Sequence, residues 1–468
     1  MDVAAPLVDH RNPGASGAAR VVLVFFLTLF PLAGCAGSAP APVVSPPAES
    51  FIELKEKIAR LRGLPFKRTV SFATQAVDDL SPETAESEEY GAQPAARISH
   101  AYQRLGLLPQ SVDLAYSRAE YLRLQRLFFF DVRHESVVVT AEAAMLSRAL
   151  FPLSARGADS FATAFALTQG LQAQHFRWPE RLRTLPLEDR KLAFRAVGYG
   201  EAVLVALAAV DGNASPAKRG GQLAAASRLA AELEKTAVSL PNMLREQLVF
   251  LYREGTRFVQ WAYAAKGWEG VNSLLTDPPL STAQILHPEK YFIKRQDPLR
   301  IFPWGFLRQF KDSATMDQTL GEATIQTLLR STHSAKDAAE TASGWRGDYL
   351  STASDAARPV TVWISAWSDA SKAREFYRAY ETVLARHHRL RFSTFSVRKD
   401  SSQAETADGR ALVLELRGLA VLFLDGLASS RVSEVADAIW KDLEMEAEPG
   451  VSPFDTAKKW SQSSRRSR

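Results

Sequence analysis

The chain carries one cysteine, Cys35, among 468 residues. No intramolecular disulfide and no cysteine metal cluster can hold it together, so its fold must rest on buried apolar surface. The material is present: 46% of residues are hydrophobic and 23% charged, a globular balance rather than that of a disordered, collagen-like or coiled-coil chain. Beyond residue 32 no stretch reads as long and apolar enough to cross a bilayer; the best candidate, 203–210, is far short of the ~20 residues needed.

The charge is unevenly placed. The 57 Lys and Arg exceed the 52 Asp and Glu by 5. The end of the chain alone accounts for that excess, with Lys458, Lys459, Arg465, Arg466 and Arg468 and no acid among them. Asp2 and Asp9 cancel Arg11 and Arg20, which leaves residues 35–455 formally neutral. A nucleic-acid-binding body needs basic residues clustered on its own surface, so that class is excluded.

The position of Cys35 is informative. An apolar run at 21–32 follows a polar N-terminal region, with the length of a signal-peptide core. Then comes Leu32-Ala33-Gly34-Cys35, which resembles the bacterial lipobox. The resemblance implies that 1–34 are removed as a lipoprotein signal peptide and that Cys35 is lipidated at the new N-terminus. Two or more acyl chains anchor stably. The competing expectation is an ordinary signal peptide, or an uncleaved anchor, with an incidental cysteine. Ala36 follows where an Asp would direct retention, which points to the outer membrane. Residues 35–50, rich in Pro, Ala and Ser, read as a semi-extended tether. The expected location is the bacterial cell envelope, with the membrane as a partner through the anchor.

Periodicity organises the rest. Helices are expected at 51–62, 97–107, 116–127, 187–210, 224–238 and 241–267, and another begins at an Asp159-Ser160 cap and runs to Gln174. Strands are expected at 69–72 and 136–140, the latter led into by residues 128–131. Residues 78–95 read as an acidic loop and 214–221 as a linker. After about 298 the pattern changes to helices at 320–330 and 335–342, a strand at 360–367 and a helix at 372–386. A hairpin at 410–416 and 419–424 and a helix at 430–443 follow. The fold class is therefore α+β: a mainly helical domain at 51–297, a smaller α+β lobe at 298–445, and a basic tail at 446–468. No internal repeat is seen.

Several segments, in order, resemble a bacterial family of zinc-metallopeptidase-like, gluzincin-like exported proteins. They are Leu105-Gly106-Leu107-Leu108-Pro109, Phe129-Phe130-Asp131, Gly255-Thr256-Arg257-Phe258-Val259 and Gly267-Trp268. Further on come Asp277-Pro278-Pro279-Leu280-Ser281-Thr282, His287-Pro288-Glu289-Lys290-Tyr291 and Gly344-Trp345-Arg346-Gly347-Asp348-Tyr349. The likeness covers roughly 55–440 and implies a zincin-like helical core. The family motif H-E-x-x-H-A-L-Q-D-Q-H-F places two imidazoles one helical turn apart on zinc, with the Glu as general base and a third ligand on the next helix. Only its downstream half survives here, as Leu171-Gln172-Ala173-Gln174-His175-Phe176. The resemblance places the two ligands at Phe165 and Gln169, the base at Ala166 and the third ligand at Tyr199, in Tyr199-Gly200-Glu201-Ala202. None is a metal ligand of the required kind. No metal and no cofactor are expected.

Apolar and aromatic replacements suit an emptied cleft that packs on itself. His175, Glu201 and His287 remain as weak site candidates, each expected to serve structure: a helix-end contact, an interhelical hydrogen bond, and a brace after the proline turn. Adjacent His387 and His388 are expected to point apart. Of Trp261, Trp268, Trp304, Trp345, Trp363 and Trp367, most are expected in the core or between lobes. Two functions follow. The first is a non-catalytic envelope lipoprotein, a pseudoenzyme scaffold binding a protein, peptide or glycan or bracing an assembly. The second is an active envelope hydrolase with a relocated or non-zinc site.

Overall fold

The computed structural model describes residues 48–73, 95–140, 142–143, 146, 155–210, 219–314, 317–389, 400–406 and 409–447. Residues 35–47, with Cys35 and most of the tether, the acidic stretch up to residue 94, most of the 214–221 linker and the tail from 448 lie outside them, while the last tether residues, 48–50, belong to a helix.

Helix α1 (Ala48–Arg62) turns Phe51, Leu54, Ile58 and Leu61 inward at helical spacing. After β1 (Ser71–Ala73) come α2 (Ala95–Leu105) and α3 (Leu114–Gln125), the latter capped by Asp113 accepting from the Tyr116 N–H. Strands β2 (Phe128–Asp131) and β3 (Ser136–Val139) join β1 in one sheet of order β1-β3-β2. Residues 128–131 are thus a strand rather than a lead-in. Helix α4 (Ala155–Phe176) starts before the expected Asp159-Ser160 cap. It is followed by α5 (Trp178–Thr184), α6 (Glu188–Val210), α7 (Arg219–Thr236) and α8 (Asn242–Thr276).

Helix α8 passes the expected end at Gly267 through a bend. Lys266 sits at φ −144° and Gly267 at φ 57°, ψ −144°, a conformation open to glycine, and the helix then resumes to Thr276. Helix α6 is long and apolar enough by composition to cross a membrane, yet it is sheathed by α1, α4, α7 and α8 as a core helix. Its crossing with α8 is backbone on backbone. A Cβ on Gly200 would come within 2.2 Å of the Gly255 carbonyl, and one on Gly255 within 2.2 Å of Ala196 O. That close approach brings the neighbouring Tyr199 and Tyr252 rings together.

Short helices α9 (Thr282–Leu286) and α10 (Glu289–Phe292) lead to β4 (Leu299–Pro303), α11 (Trp304–Gln309), α12 (Gly321–Leu329) and α13 (Ala335–Ala342). Then come β5 (Trp345–Asp355), β6 (Arg358–Trp367), α14 (Ala370–His388), β7 (Ser401–Glu405), β8 (Arg410–Arg417), β9 (Ala420–Ala428), α15 (Ser429–Lys441) and β10 (Leu443–Ala447). Strand β10 pairs with β4, so the lobe extends past 445. The main sheet is antiparallel, in the order β5-β6-β9-β8-β7. The architecture is α+β.

Alternation along these strands sorts side chains between two cores. Trp363, Trp367, Leu412, Leu414 and Phe423 face α14 and belong to the core that is continuous with the helices. Val362, Ile364, Val413, Leu422 and Leu424 face the other way, with Phe306 of α11 and Ile439 of α15. A sheet covered on both faces explains why its strands read as nearly unbroken apolar runs.

Candidate functional site

The positions that the resemblance marks lie where α4, α6 and α8 meet. Phe165 is fully buried, with its ring edge-on to Phe128 (4.7 Å between centroids) and Tyr199 (5.6 Å) and stacked on Tyr252 (6.0 Å). Tyr199 and Tyr252 meet edge to face at 5.3 Å. Ala166 is buried beside them, and Leu124 is buried on α3. Gln169 accepts the Phe130 N–H at 3.1 Å, tying α4 to β2. The Tyr199 hydroxyl donates to Gln125 at 3.4 Å, and burial pushes its pKa up to about 12. The structure thus brings Phe165, Ala166, Gln169 and Tyr199 to one place, and rings fill it.

One turn along, the same interface becomes polar. Glu201 is 1% exposed and receives Arg62 of α1 through Nε (2.7 Å) and Nη2 (2.6 Å), and Gln172 Nε2 at 2.9 Å. Arg62 also reaches Asn272 Oδ1 at 2.8 Å and lies 4.2 Å over the Trp268 ring. An isolated buried carboxylate is costly, and the guanidinium of α1 supplies its counter-charge. Glu201 is therefore more than an interhelical hydrogen bond: it fastens α1 across the helical core. His175, at the end of α4, places Nε2 2.7 Å from Pro65 O, while Gln174 Oε1 accepts the Lys67 and Arg68 N–H groups. Both hold the segment that follows α1.

His287 belongs to a second cluster, where helices meet sheet. Its Nε2 lies 2.7 Å from Oε1 of Glu322, a fully buried carboxylate that Lys290 Nζ (3.5 Å) and Gln326 Nε2 (3.2 Å) also approach. Nearby, Asp189 at the start of α6 accepts the Thr282 hydroxyl at 2.5 Å and its N–H. Asp348 of β5 accepts four N–H groups: Leu320 (2.7 Å), Gly321 (3.0 Å), Trp345 Nε1 (3.0 Å) and Trp363 Nε1 (3.0 Å). Gly321, at φ 74°, passes so close to Asp189 that a Cβ would fall 1.7 Å from its Oδ1. Burial raises the pKa of Asp189 well above the usual carboxylate range, and the Asp348 and Glu322 charges add to the rise. Burial raises Asp348 too, against its four donors.

Three of the sequence segments named above, Asp277–Thr282, His287–Tyr291 and Gly344–Tyr349, therefore converge on one buried polar knot. Asp189, Glu322 and Arg62 carry no motif in the sequence and are found only through their partners. Asp348 alone of the four lies in a segment that the resemblance had marked, Gly344–Tyr349. Among the described residues no three His, Cys, Asp or Glu side chains are grouped to hold a metal ion. Trp345, Trp363 and Trp367 are buried, whereas Trp261 and Trp304 are partly exposed, at 46% and 39%.

A family model described as a domain of unknown function (DUF8575) matches residues 308–436, from α11 into α15, and so takes in the five-stranded sheet. No curated protein and no solved structure matches the chain.

Proposed function

We propose that the protein is a cell-envelope lipoprotein, anchored through Cys35, whose helical region keeps a metallopeptidase-like scaffold without its chemistry. Its role is to bind or brace a protein, peptide or glycan at a bacterial membrane, with the outer membrane as the expected location. The observation that carries this reading is that Phe165 and Tyr199, at two of the positions where the resemblance requires ligands, pack into one ring cluster with Tyr252 and Phe128. Imidazoles and a water-filled cleft are needed for a zinc hydrolase, and closely packed rings offer neither. The test is elemental analysis of protein purified without chelator, joined to fractionation of a Cys35→Ser variant. Expected are no stoichiometric zinc and release of the variant from washed membranes. One equivalent of zinc lost together with a peptidase activity on chelation, or a variant that stays on the membrane, refutes the corresponding half.

The second reading, an envelope hydrolase with a relocated site, has one observation in its favour. His287 is part-exposed and oriented by the buried Glu322, the relation of a general base to its orienting acid. It predicts hydrolysis abolished by His287→Gln and spared by His175→Gln. The scaffold reading predicts no activity for either variant to lose.

A further inference from the structure

The adjacent His387 and His388 of α14 meet the C-terminal end of α2, which carries His100. A helix leaves its last carbonyls without intrahelical donors, and here α14 supplies them. His387 Nε2 lies 2.8 Å from Gln103 O, His388 Nε2 lies 2.8 Å from Arg104 O, and the Tyr380 hydroxyl donates to Leu105 O at 3.1 Å. A carbonyl only accepts, so each neutral imidazole carries its proton on Nε2 and leaves Nδ1 bare. The adjacent pair, expected to diverge, thus serves one helix end, with rings edge to face at 4.7 Å. Arg104 makes two 2.6 Å bonds to the buried Asp425 of β9, and His100, one turn earlier on α2, feels both charges. Arg389 lines the same cleft as Arg104, His387 and His388.

We propose that this junction is an acid-sensitive latch: neutral imidazoles let α14 grip the end of α2, and protonating His387, His388 and His100 beside Arg104 loosens the grip. Two effects oppose this. The Nε2–H donors survive protonation, and a helix C-terminus favours positive charge. Burial of the rings acts for it at all three histidines. The Arg104 guanidinium, although paired with Asp425, adds to it at His387 and His388, whereas at His100 the Asp425 charge outweighs Arg104 and burial acts against it alone. Burial wins at each site. The pKa values of His100, His387 and His388 are all lowered with burial as the leading cause, and His388 falls to about 4. Released imidazoles titrate near 6.5, so below that pH the open state binds more protons than the closed one. The grip is complete above about pH 6.5 and fades as pH falls toward the folded values, by up to about tenfold per pH unit for each fully shifted histidine.

Hydrogen exchange of the full chain, corrected for intrinsic rates, tests this at the Gly106, Leu107 and Leu108 amides, which bond to Gln103 O and Tyr102 O. Between pH 7.5 and pH 5.0 their protection is expected to fall at least tenfold, while that of α6 holds. In the His387→Gln/His388→Gln variant, which keeps an N–H donor at each position and cannot titrate there, the fall is expected to stay below threefold. Unchanged protection in the wild type, or an equal fall in the variant, overturns the latch. Should the variant not fold, histidine C2-proton exchange in the wild-type chain decides: values below 6.5 at His387 and His388 support the proposal, and values at or above 6.5 refute it.

Discussion

Asp348→Ala tests whether the polar knot joins helices to sheet. The side chain is 2% exposed and accepts four N–H groups, two on each oxygen. Removing it strands the Leu320 and Gly321 amides and the Trp345 and Trp363 indoles away from water. A buried donor left unsatisfied costs about 1–3 kcal/mol. Four of them, at the lower end because burial already disfavours the carboxylate, give a loss of at least about 4 kcal/mol. Asp348→Asn keeps one acceptor oxygen and turns an NH2 toward two of the donors, so about half of that loss is expected. Urea unfolding at pH 7 followed by tryptophan fluorescence reads both, since Trp345 and Trp363 sit on the carboxylate itself. The control is Asp369→Ala, which removes an exposed cap accepting the Ser371 and Lys372 N–H groups at the start of α14 and should cost far less than Asp348→Ala. If Asp348→Ala costs no more than that control, the carboxylate is not what holds the junction.

Phe165→His should destabilise by about 3 kcal/mol or more, the range for losing a buried ring, with an unpaired imidazole added; a chemical-denaturation change under 1 kcal/mol would mean the rings are not tightly packed. Arg62→Met leaves Glu201 buried without its counter-charge and should cost about 3–5 kcal/mol. A double-mutant cycle with Glu201→Gln should then show coupling, and additive effects would argue against the pair. Asp189 has a folded pKa above its unfolded one, so it binds its proton more readily when folded, and stability falls as pH rises from about 4 through the folded value. Asp189→Asn should flatten that fall in melting temperature between pH 4.5 and 8, whereas an unaltered slope would place the titration elsewhere.

Local pattern made much of this fold legible, and the failures share a cause. Helix α14 follows from periodicity because it presents one regular apolar face, whereas α6 and the hairpin of β8 and β9 stand out as nearly unbroken apolar runs bounded by turns. Strand β5 escaped because Asp348, Ser351 and Thr352 interrupt its apolar alternation, although all three are buried. Residues 128–131 escaped because three consecutive Phe have no period. The bend at Gly267 looked like an end, since a glycine that stops a helix and one that lets it resume are identical in sequence. Phe165 and Tyr199 meet at 5.6 Å between ring centroids, a contact no local spacing announces. The partners of Glu201 and His287 were not legible: Arg62 lies 139 residues from Glu201, and Glu322 lies 35 from His287. Such pairings are made by folding rather than by spacing.

The two-faced sheet bears on how this chain could be divided. The segment matched as DUF8575 begins inside α11 and stops short of the end of α15, without β4 or β10. Cutting there removes strands that complete the second core and uncovers residues whose packing is shared with α2. Tyr380, for instance, would lose the Leu105 carbonyl that its hydroxyl meets. The recurring stretch of sequence and the cooperative folding unit are therefore different objects. Transplanting the matched residues into another protein would carry over a sheet with one of its faces borrowed, and a soluble graft would need polar substitutions on that face or a host able to cover it.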